Sequence, residues 1–261
     1  MSARPAAGIE IIGVRKHFQD AGVTALEEVS LSIAPGEFVS VLGPSGCGKS
    51  TLLRCIAGLE TPSAGTVSVN GKLVKAPPEG LGMVFQRDAL LDWRTVADNL
   101  MLPIDFRRGN RAAARGRADA LITLTGLKGF EERYPAQLSG GMRQRVALCR
   151  ALVDDPVLLL MDEPFGALDA LTRDQMNIEL QRMWLTEHKT VLFVTHSIPE
   201  AIFLGDRVVV MTPRPGRIAD VVEVELPRPR RLAVRASDKF IGYANHIRTL
   251  FEGMGLLKED G

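Results

Sequence analysis

Gly43-Pro44-Ser45-Gly46-Cys47-Gly48-Lys49-Ser50-Thr51 completes the phosphate-binding pattern G-x-x-x-x-G-K-[ST] directly after the strand-like run Glu37-Phe38-Val39-Ser40-Val41-Leu42. A strand, a glycine loop and a helix start in that order predict an α/β fold built around the loop. Gly43, Gly46 and Gly48 let the backbone curl so that successive N–H groups face phosphate oxygens, a conformation that a Cβ obstructs. Lys49 then bridges the terminal phosphates and Ser50 offers its hydroxyl to a magnesium ion. The helix opening near Lys49 presents its positive end to the anion. Given ordinary glycine usage, a glycine-rich turn matches this pattern by accident in roughly one chain in a hundred of this length.

Working outward, Leu138-Ser139-Gly140-Gly141-Met142-Arg143-Gln144 makes accident a poor explanation. It places Ser139, Gly140 and Gly141 as a second anion cradle at the start of an apolar-periodic helix running to about Val153. Further on, Val157-Leu158-Leu159-Leu160-Met161 is an apolar strand that ends on the adjacent carboxylates Asp162 and Glu163. Alone, such a pair reads as a solvated strand terminus. Beside two nucleotide motifs it reads as a site for phosphoryl chemistry, which needs phosphate charge neutralised and a water aimed at the γ-phosphorus. Ser50 and Asp162 are suited to hold Mg²⁺ directly or through water, and Glu163 is the candidate general base.

Composition bounds the rest. A chain of 261 residues with 46% hydrophobic content can bury a large core in one or two packed units. Lys plus Arg total 32 against 31 for Asp plus Glu, a balance that offers no overall field for nucleic acid. Two local clusters, Arg107, Arg108, Arg111, Arg115 and Arg117, and Arg228, Arg230, Arg231 and Arg235, lack aromatic interleaving and read as solvated faces. No apolar stretch approaches the roughly 18 residues that span a bilayer, and the opening residues lack the apolar region of a secretory signal. Cys47, Cys55 and Cys149 have no metal-ligand spacing, and their odd number argues for reduced thiols in the cytosol or at the cytosolic face of a membrane. Cys47, at a helix N-terminus, is expected to favour its thiolate.

Strands are expected at Ile9 to Val14, Phe38 to Leu42, Thr66 to Val69 and Gly82 to Phe85, and more buried ones at Val157 to Met161 and Thr190 to Thr195. Val208 to Met211 and Ile218 to Val224, joined by the Pro213 to Gly216 turn, read as a hairpin. The division expected is a nucleotide-binding α/β core with a β subdomain over 1–86 and 156–225, an inserted helical subdomain over 87–155, and a C-terminal appendage over 226–261 whose end is mobile.

In this order the motifs resemble the ATP-binding subunits of ABC transporters over nearly the whole chain. Within that superfamily, Met83-Val84-Phe85-Gln86, Pro164 to Thr172 and Pro213-Arg214-Pro215-Gly216-Arg217-Ile218 look like the nitrate/sulfonate/taurine importers. The resemblance implies a P-loop NTPase, RecA-like core with an antiparallel β subdomain and an inserted helical signature subdomain, using ATP and Mg²⁺. It assigns Phe18 to adenine stacking, Gly43 to Thr51 to the Walker A loop and Gln86 to the Q-loop, where it joins Ser50 and Asp162 in holding Mg²⁺ directly or through water. Ser139 to Gln144 become the signature, Asp162 and Glu163 the Walker B end, Asp169 the D-loop and His196 the switch histidine that registers the γ-phosphate. It also resolves the puzzle of two cradles: that of one chain closes on the ATP held by the other, with Asp169 across a head-to-tail homodimer. Further implied partners are transmembrane permease subunits and, indirectly, an extracytoplasmic solute-binding protein, with no nucleic acid, at the cytoplasmic face of the cell membrane.

The chain departs from the family at three points. Phe18 stands where Tyr is frequent, Ser197 follows His196 where an acidic residue is usual, and Asp92 occupies a common proline position. Ala89-Leu90-Leu91-Asp92-Trp93 reads equally as core or as the border of a groove for a membrane partner's coupling helix. A soluble ABC ATPase acting on ribosomes or DNA generally carries two cassettes or a long coiled coil, and neither is present. A non-hydrolysing cassette conflicts with Lys49 and Glu163. Similar cassettes also serve importers of pyrimidine precursors or aromatic acids.

Overall fold

The computed structural model describes residues 5–166 and 168–256. Ala167, in the D-loop wording, and the tail end expected to be mobile lie outside the described residues.

Among the described residues, ten strands and seven α-helices run in the order β1 (Ile9–Phe18), β2 (Val23–Ile33), β3 (Phe38–Leu42), α1 (Lys49–Ile56), β4 (Ala64–Val69), β5 (Lys72–Leu73), β6 (Leu81–Val84), α2 (Val96–Phe106), α3 (Arg111–Leu124), α4 (Gly140–Leu152), β7 (Leu158–Asp162), α5 (Ala170–Glu187), β8 (Thr190–Thr195), α6 (Ile198–Leu204), β9 (Arg207–Met211), β10 (Ile218–Glu223) and α7 (Asp238–Gly253). They form a four-stranded antiparallel sheet, β2-β1-β4-β5, and a six-stranded sheet, β10-β9-β3-β8-β7-β6. The larger sheet is parallel except for β10, which pairs antiparallel with β9 as the expected hairpin. Strand β2 was not among the expected runs. Its buried Val29, Leu31 and Ile33 alternate with exposed Ser30 and Ser32, a period-two signal that a search for continuous apolar runs passes over.

The unbroken apolar strands are covered on both faces. From β3, β7 and β8, Phe38, Leu42, Leu159, Met161, Val191 and Phe193 point into one core with the helical segment. Their alternates Val39, Val41, Leu158, Leu160, Leu192 and Val194 point into the other, with α1 and the antiparallel sheet. Residues 87–155 contain helices α2 to α4 and no named strand.

The appendage after residue 225 differs from its sequence reading. Arg230 is buried and donates to the carbonyls of Ile202, Phe203 and Gly205 at 2.8–3.1 Å, closing the open end of α6. Gln181 of α5 brackets its backbone at 2.7 and 2.8 Å. Burial, reinforced by Arg228, lowers the Arg230 pKa to about 10. Arg228 pairs with Asp206 and stacks on Trp184, and Phe240, Ala244 and Ile247 of α7 enter the core. The tail arginines are therefore not uniformly a solvated face. In the other cluster Arg111 pairs with Asp98 and Asp105 at the surface, whereas half-buried Arg117 donates to Glu187 and the Leu152 carbonyl and departs from the solvated reading.

Candidate functional site

Parallel register gathers the motif residues. Leu42 of β3 lies opposite Thr195 of β8, and Val194 lies opposite Asp162 of β7. The glycine loop, the two carboxylates and His196 therefore leave the sheet at one carboxyl edge, where open α/β sheets bind ligands. Strand β8 sits between β3 and β7, so His196 emerges between the loop and the carboxylates.

The loop needs its glycines for two different reasons. Gly46 and Gly48 adopt left-handed φ of 75° and 108°. At Gly48 a Cβ would also lie 2.6 Å from the Ala25 carbonyl, so β2 presses directly on the loop. Helix α1 starts there with no side-chain cap, leaving its first N–H groups for an anion. Lys49 is buried, and its Nζ donates to the carbonyls of Gly43 and Pro44 at 2.8 and 2.9 Å. A cleft of about 480 Å³ opens over Ser45, Gly46, Gly48 to Thr51, Gln86 and Glu163, with half-buried Phe18 on its wall.

Glu163 is the hub of the charged groups. Its carboxylate lies 3.6 Å from Lys49 Nζ, 3.1 Å from His196 Nδ1 and 3.5 Å from Gln86 Nε2. The residue takes a left-handed φ of 44°, and its N–H donates to the Val194 carbonyl at 2.9 Å. Such a backbone is uncommon outside glycine and is held here by the neighbouring strand. Asp162 accepts from Ser50 Oγ at 2.8 Å; burial pushes its carboxyl pKa up, and the Ser50 hydrogen bond opposes that.

The signature and the D-loop residue lie elsewhere. Ser139, Gly140, Gly141 and Asp169 do not line this cleft. Ser139 is exposed and caps α4 by accepting from Met142 N–H at 3.3 Å. Asp169 caps α5 by accepting from Thr172 N–H at 3.0 Å, and the Thr172 side chain together with that backbone bond holds its carboxyl below the usual range. The two helix starts adjoin, because a Cβ on Gly141 would lie 2.8 Å from Thr172 Cγ2. Cys47 corrects its expectation: it is buried beneath the loop, and desolvation raises its thiol pKa despite nearby Lys49.

Three further residues join the site through packing. Arg214, in the β9–β10 turn, lines the cleft. Behind His196, Glu200 accepts from Thr195 Oγ1 at 2.6 Å and lies 3.6 Å from Arg173, which donates to the Leu168 carbonyl at 3.0 Å. This brace ties the histidine turn to the D-loop. No motif spacing signals it, since its members meet only through packing.

Beside β6, a second groove of about 370 Å³ is lined by Phe85, Ala89, Leu102, Pro103 and Phe106. Trp93 is 74% exposed, which removes the core reading for that side chain, although it does not line this groove. Buried Asn99 bonds the carbonyls of Leu91, Arg94 and Thr95 at 2.9–3.1 Å and fixes the turn that displays Trp93.

Residues 26–166 match the ABC transporter family. A taurine import ATP-binding protein of Rhizobium johnstonii is 47% identical over 87% of this chain and 89% of its own. An aliphatic sulfonates import ATP-binding protein of Bacillus cereus is 40% identical over 96% and 98%. Among solved structures, an ATP-binding cassette in a dimeric post-hydrolysis state with ADP and phosphate superposes with a TM-score of 0.73 at 33% identity, covering 84% of this chain and all of that one. The fold, the loop geometry and these likenesses agree: the chain belongs to the ABC transporter family and has its P-loop ATPase fold.

Proposed function

We propose that this chain is the ATP-hydrolysing subunit of an importer for a small oxyanion such as taurine, an alkanesulfonate or nitrate, working as a homodimer beneath separate membrane subunits. The observation that carries the ATPase reading is the convergence of Lys49, Ser50, Asp162, Glu163 and His196 on one cleft edge. Ser50 Oγ and Asp162 Oδ1 are hard oxygen donors already in contact, a donor set that fits Mg²⁺, and Gln86 can add an amide oxygen. When bound, the ion neutralises and orients the phosphates.

The chain's own residues do the rest. The amides of the loop from Gly43 to Thr51 hold phosphate oxygens, and Lys49 brings its charge to the terminal ones. Phe18 stacks on the adenine. Glu163 takes the proton of a water aimed at the γ-phosphorus, and His196, already in contact with Glu163, registers the γ-phosphate. Ser139, Gly140 and Gly141 of a second copy close over the nucleotide with Asp169 beside them, which accounts for their exposure outside the cleft. The helical segment 87–155 carries that signature as a unit.

Among the described residues no helix is long and apolar enough to cross a membrane. The proposed site of work is the cytoplasmic face of the cell membrane, where permease subunits dock at the apolar groove near Phe85 and Phe106 and against Trp93. A solute-binding protein supplies the other side. An exposed aromatic on a fixed turn is a strong anchor for a partner. Trp93→Ala should leave ATP binding and stability of the isolated chain within about 0.5 kcal/mol while reducing co-purification with the permease; unchanged co-purification would remove Trp93 from the interface.

The solute reading rests on the relatives' names and on the sequence wording. Deleting the gene should impair growth on taurine or an alkanesulfonate as sole sulfur source, or on nitrate as sole nitrogen source, with normal growth on sulfate and ammonium. Normal growth and uptake on all of these would reject the oxyanion class.

A further inference from the structure

The β9–β10 turn places a cation beside the glycine loop that the residue roles above leave unused. Arg214 donates from Nε and Nη2 to one acceptor, the Gly46 carbonyl, at 3.0 and 2.9 Å. A guanidinium has five N–H groups, so those two bonds leave the others uncommitted. Among the described residues no carboxylate lies within ion-pair distance of it, whereas its turn neighbour Arg217 is paired with Glu27 at 2.6 Å. Arg214 also lines the same cleft as Phe18, Ser45 and Lys49.

The turn that carries it is held from several sides. Thr212 Oγ1 donates toward the Pro213 and Pro215 carbonyls and accepts from Arg217 N–H at 3.0 Å. Gly216 N–H donates to the Ala25 carbonyl and its own carbonyl accepts from Glu27 N–H, both at 2.9 Å. A Cβ on Gly216 would lie 2.1 Å from the Cys47 carbonyl, so this close approach of turn to loop requires glycine. The guanidinium is thus presented by a fixed backbone, at low entropic cost for a ligand that takes it up.

A guanidinium with no carboxylate partner and N–H groups to spare, carried by a fixed turn at the rim of a phosphate cradle, matches an anionic ligand. We propose that Arg214 is a further nucleotide-binding residue, contacting the part of the nucleotide common to ATP and ADP. Lys49 is engaged with the carbonyls of Gly43 and Pro44 and lies near Glu163, at the catalytic end. Arg214 instead holds the outer turn of the loop at Gly46. This inference rests on the cleft being the nucleotide site.

The test is titration of the purified full-length chain with ATP and ADP, in EDTA, at low and high salt, for the wild type, Arg214→Gln, Arg214→Lys and Lys49→Ala. Gln keeps an N–H donor for the Gly46 carbonyl but removes the charge. A partly solvated charge contact predicts that Arg214→Gln weakens ATP and ADP equally, by about five- to tenfold at low salt, with the difference shrinking at high salt. Arg214→Lys should fall between it and the wild type. Affinities within twofold of wild type for both nucleotides, or a loss confined to ATP, would overturn the assignment. So would a salt-independent loss accompanied by a lower melting temperature in both Arg214 variants, since that is the behaviour of a turn brace. If Lys49→Ala binds ATP normally, the nucleotide reading of the cleft falls and this inference with it.

Discussion

Two helices in this chain begin on glycine cradles, and their surroundings are opposite. Helix α1 starts beneath a cleft wall: Gly48 is pressed by β2, Lys49 is buried, and Phe18, Arg214 and Glu163 line the same space. Helix α4 starts at the surface, capped by its own Ser139, with Thr172 of α5 as its neighbour. The dipole chemistry is common to both. What differs is enclosure: Lys49, the Ser50 hydroxyl and Glu163 gather beside the first cradle, whereas the second lies open to solvent with its Ser139 hydroxyl engaged in capping its own helix. In the homodimer proposed above, this exposed cradle is the half that a second copy closes over the nucleotide.

The sharpest way to break this contrast is Glu163→Gln. Loss of a general base costs about 10²–10⁴-fold in turnover, with ATP affinity retained and an ATP-bound dimer accumulating on size-exclusion chromatography. Near-normal turnover would remove Glu163 from the chemistry. Gly140→Asp tests the other cradle. A carboxylate set at that helix start should cut hydrolysis by about 10²-fold, yet leave ATP affinity of the monomer unchanged by calorimetry. Weakened binding by the monomer would mean that the signature serves its own chain's site.

Thiol labelling gives a smaller effect on the same comparison. All three native cysteines are buried, with Cys55 raised to about 11 and Cys149 to about 12 by desolvation. Cys47 is raised above the ordinary 9.0, so below that pH its thiolate fraction is less than that of a free thiol, and its labelling rate should still be climbing as pH passes 9.0. A Ser139→Cys variant should label at least about tenfold faster at pH 7.5, as expected of an exposed thiol at a helix start. Mass-spectrometric rates decide it; equal rates would mean that the loop opens far enough to expose Cys47.

The two arginine clusters show how far sequence reading reaches. Arg111 and Arg230 sit in similar basic, proline- or alanine-rich text, yet one pairs at the surface and the other is buried against five carbonyls. Periodicity carries no information on this point, because the acceptors for Arg230 lie on α6 and in the segment after β10, brought together only by packing. Similarly, Leu90 packs against the core while Trp93 projects from it, although both lie in one short apolar stretch.

What local chemistry specifies is legible along the chain. The glycine loop after an apolar strand, the carboxylate pair, the signature and the central strands follow from backbone freedom, from a residue type at a fixed spacing and from uninterrupted apolar runs. Which of those pieces share a site is set by strand register and packing. Register across β3, β8 and β7 set His196 against Glu163 and Ser50 against Asp162. Long-range packing put Arg214 on the loop, buried Cys47 beneath it and kept Ser139 and Asp169 outside the cleft. Burial, and hence charge, hydrogen bonding and reactivity, is a property of neighbours distant in the chain, which no spacing along it records.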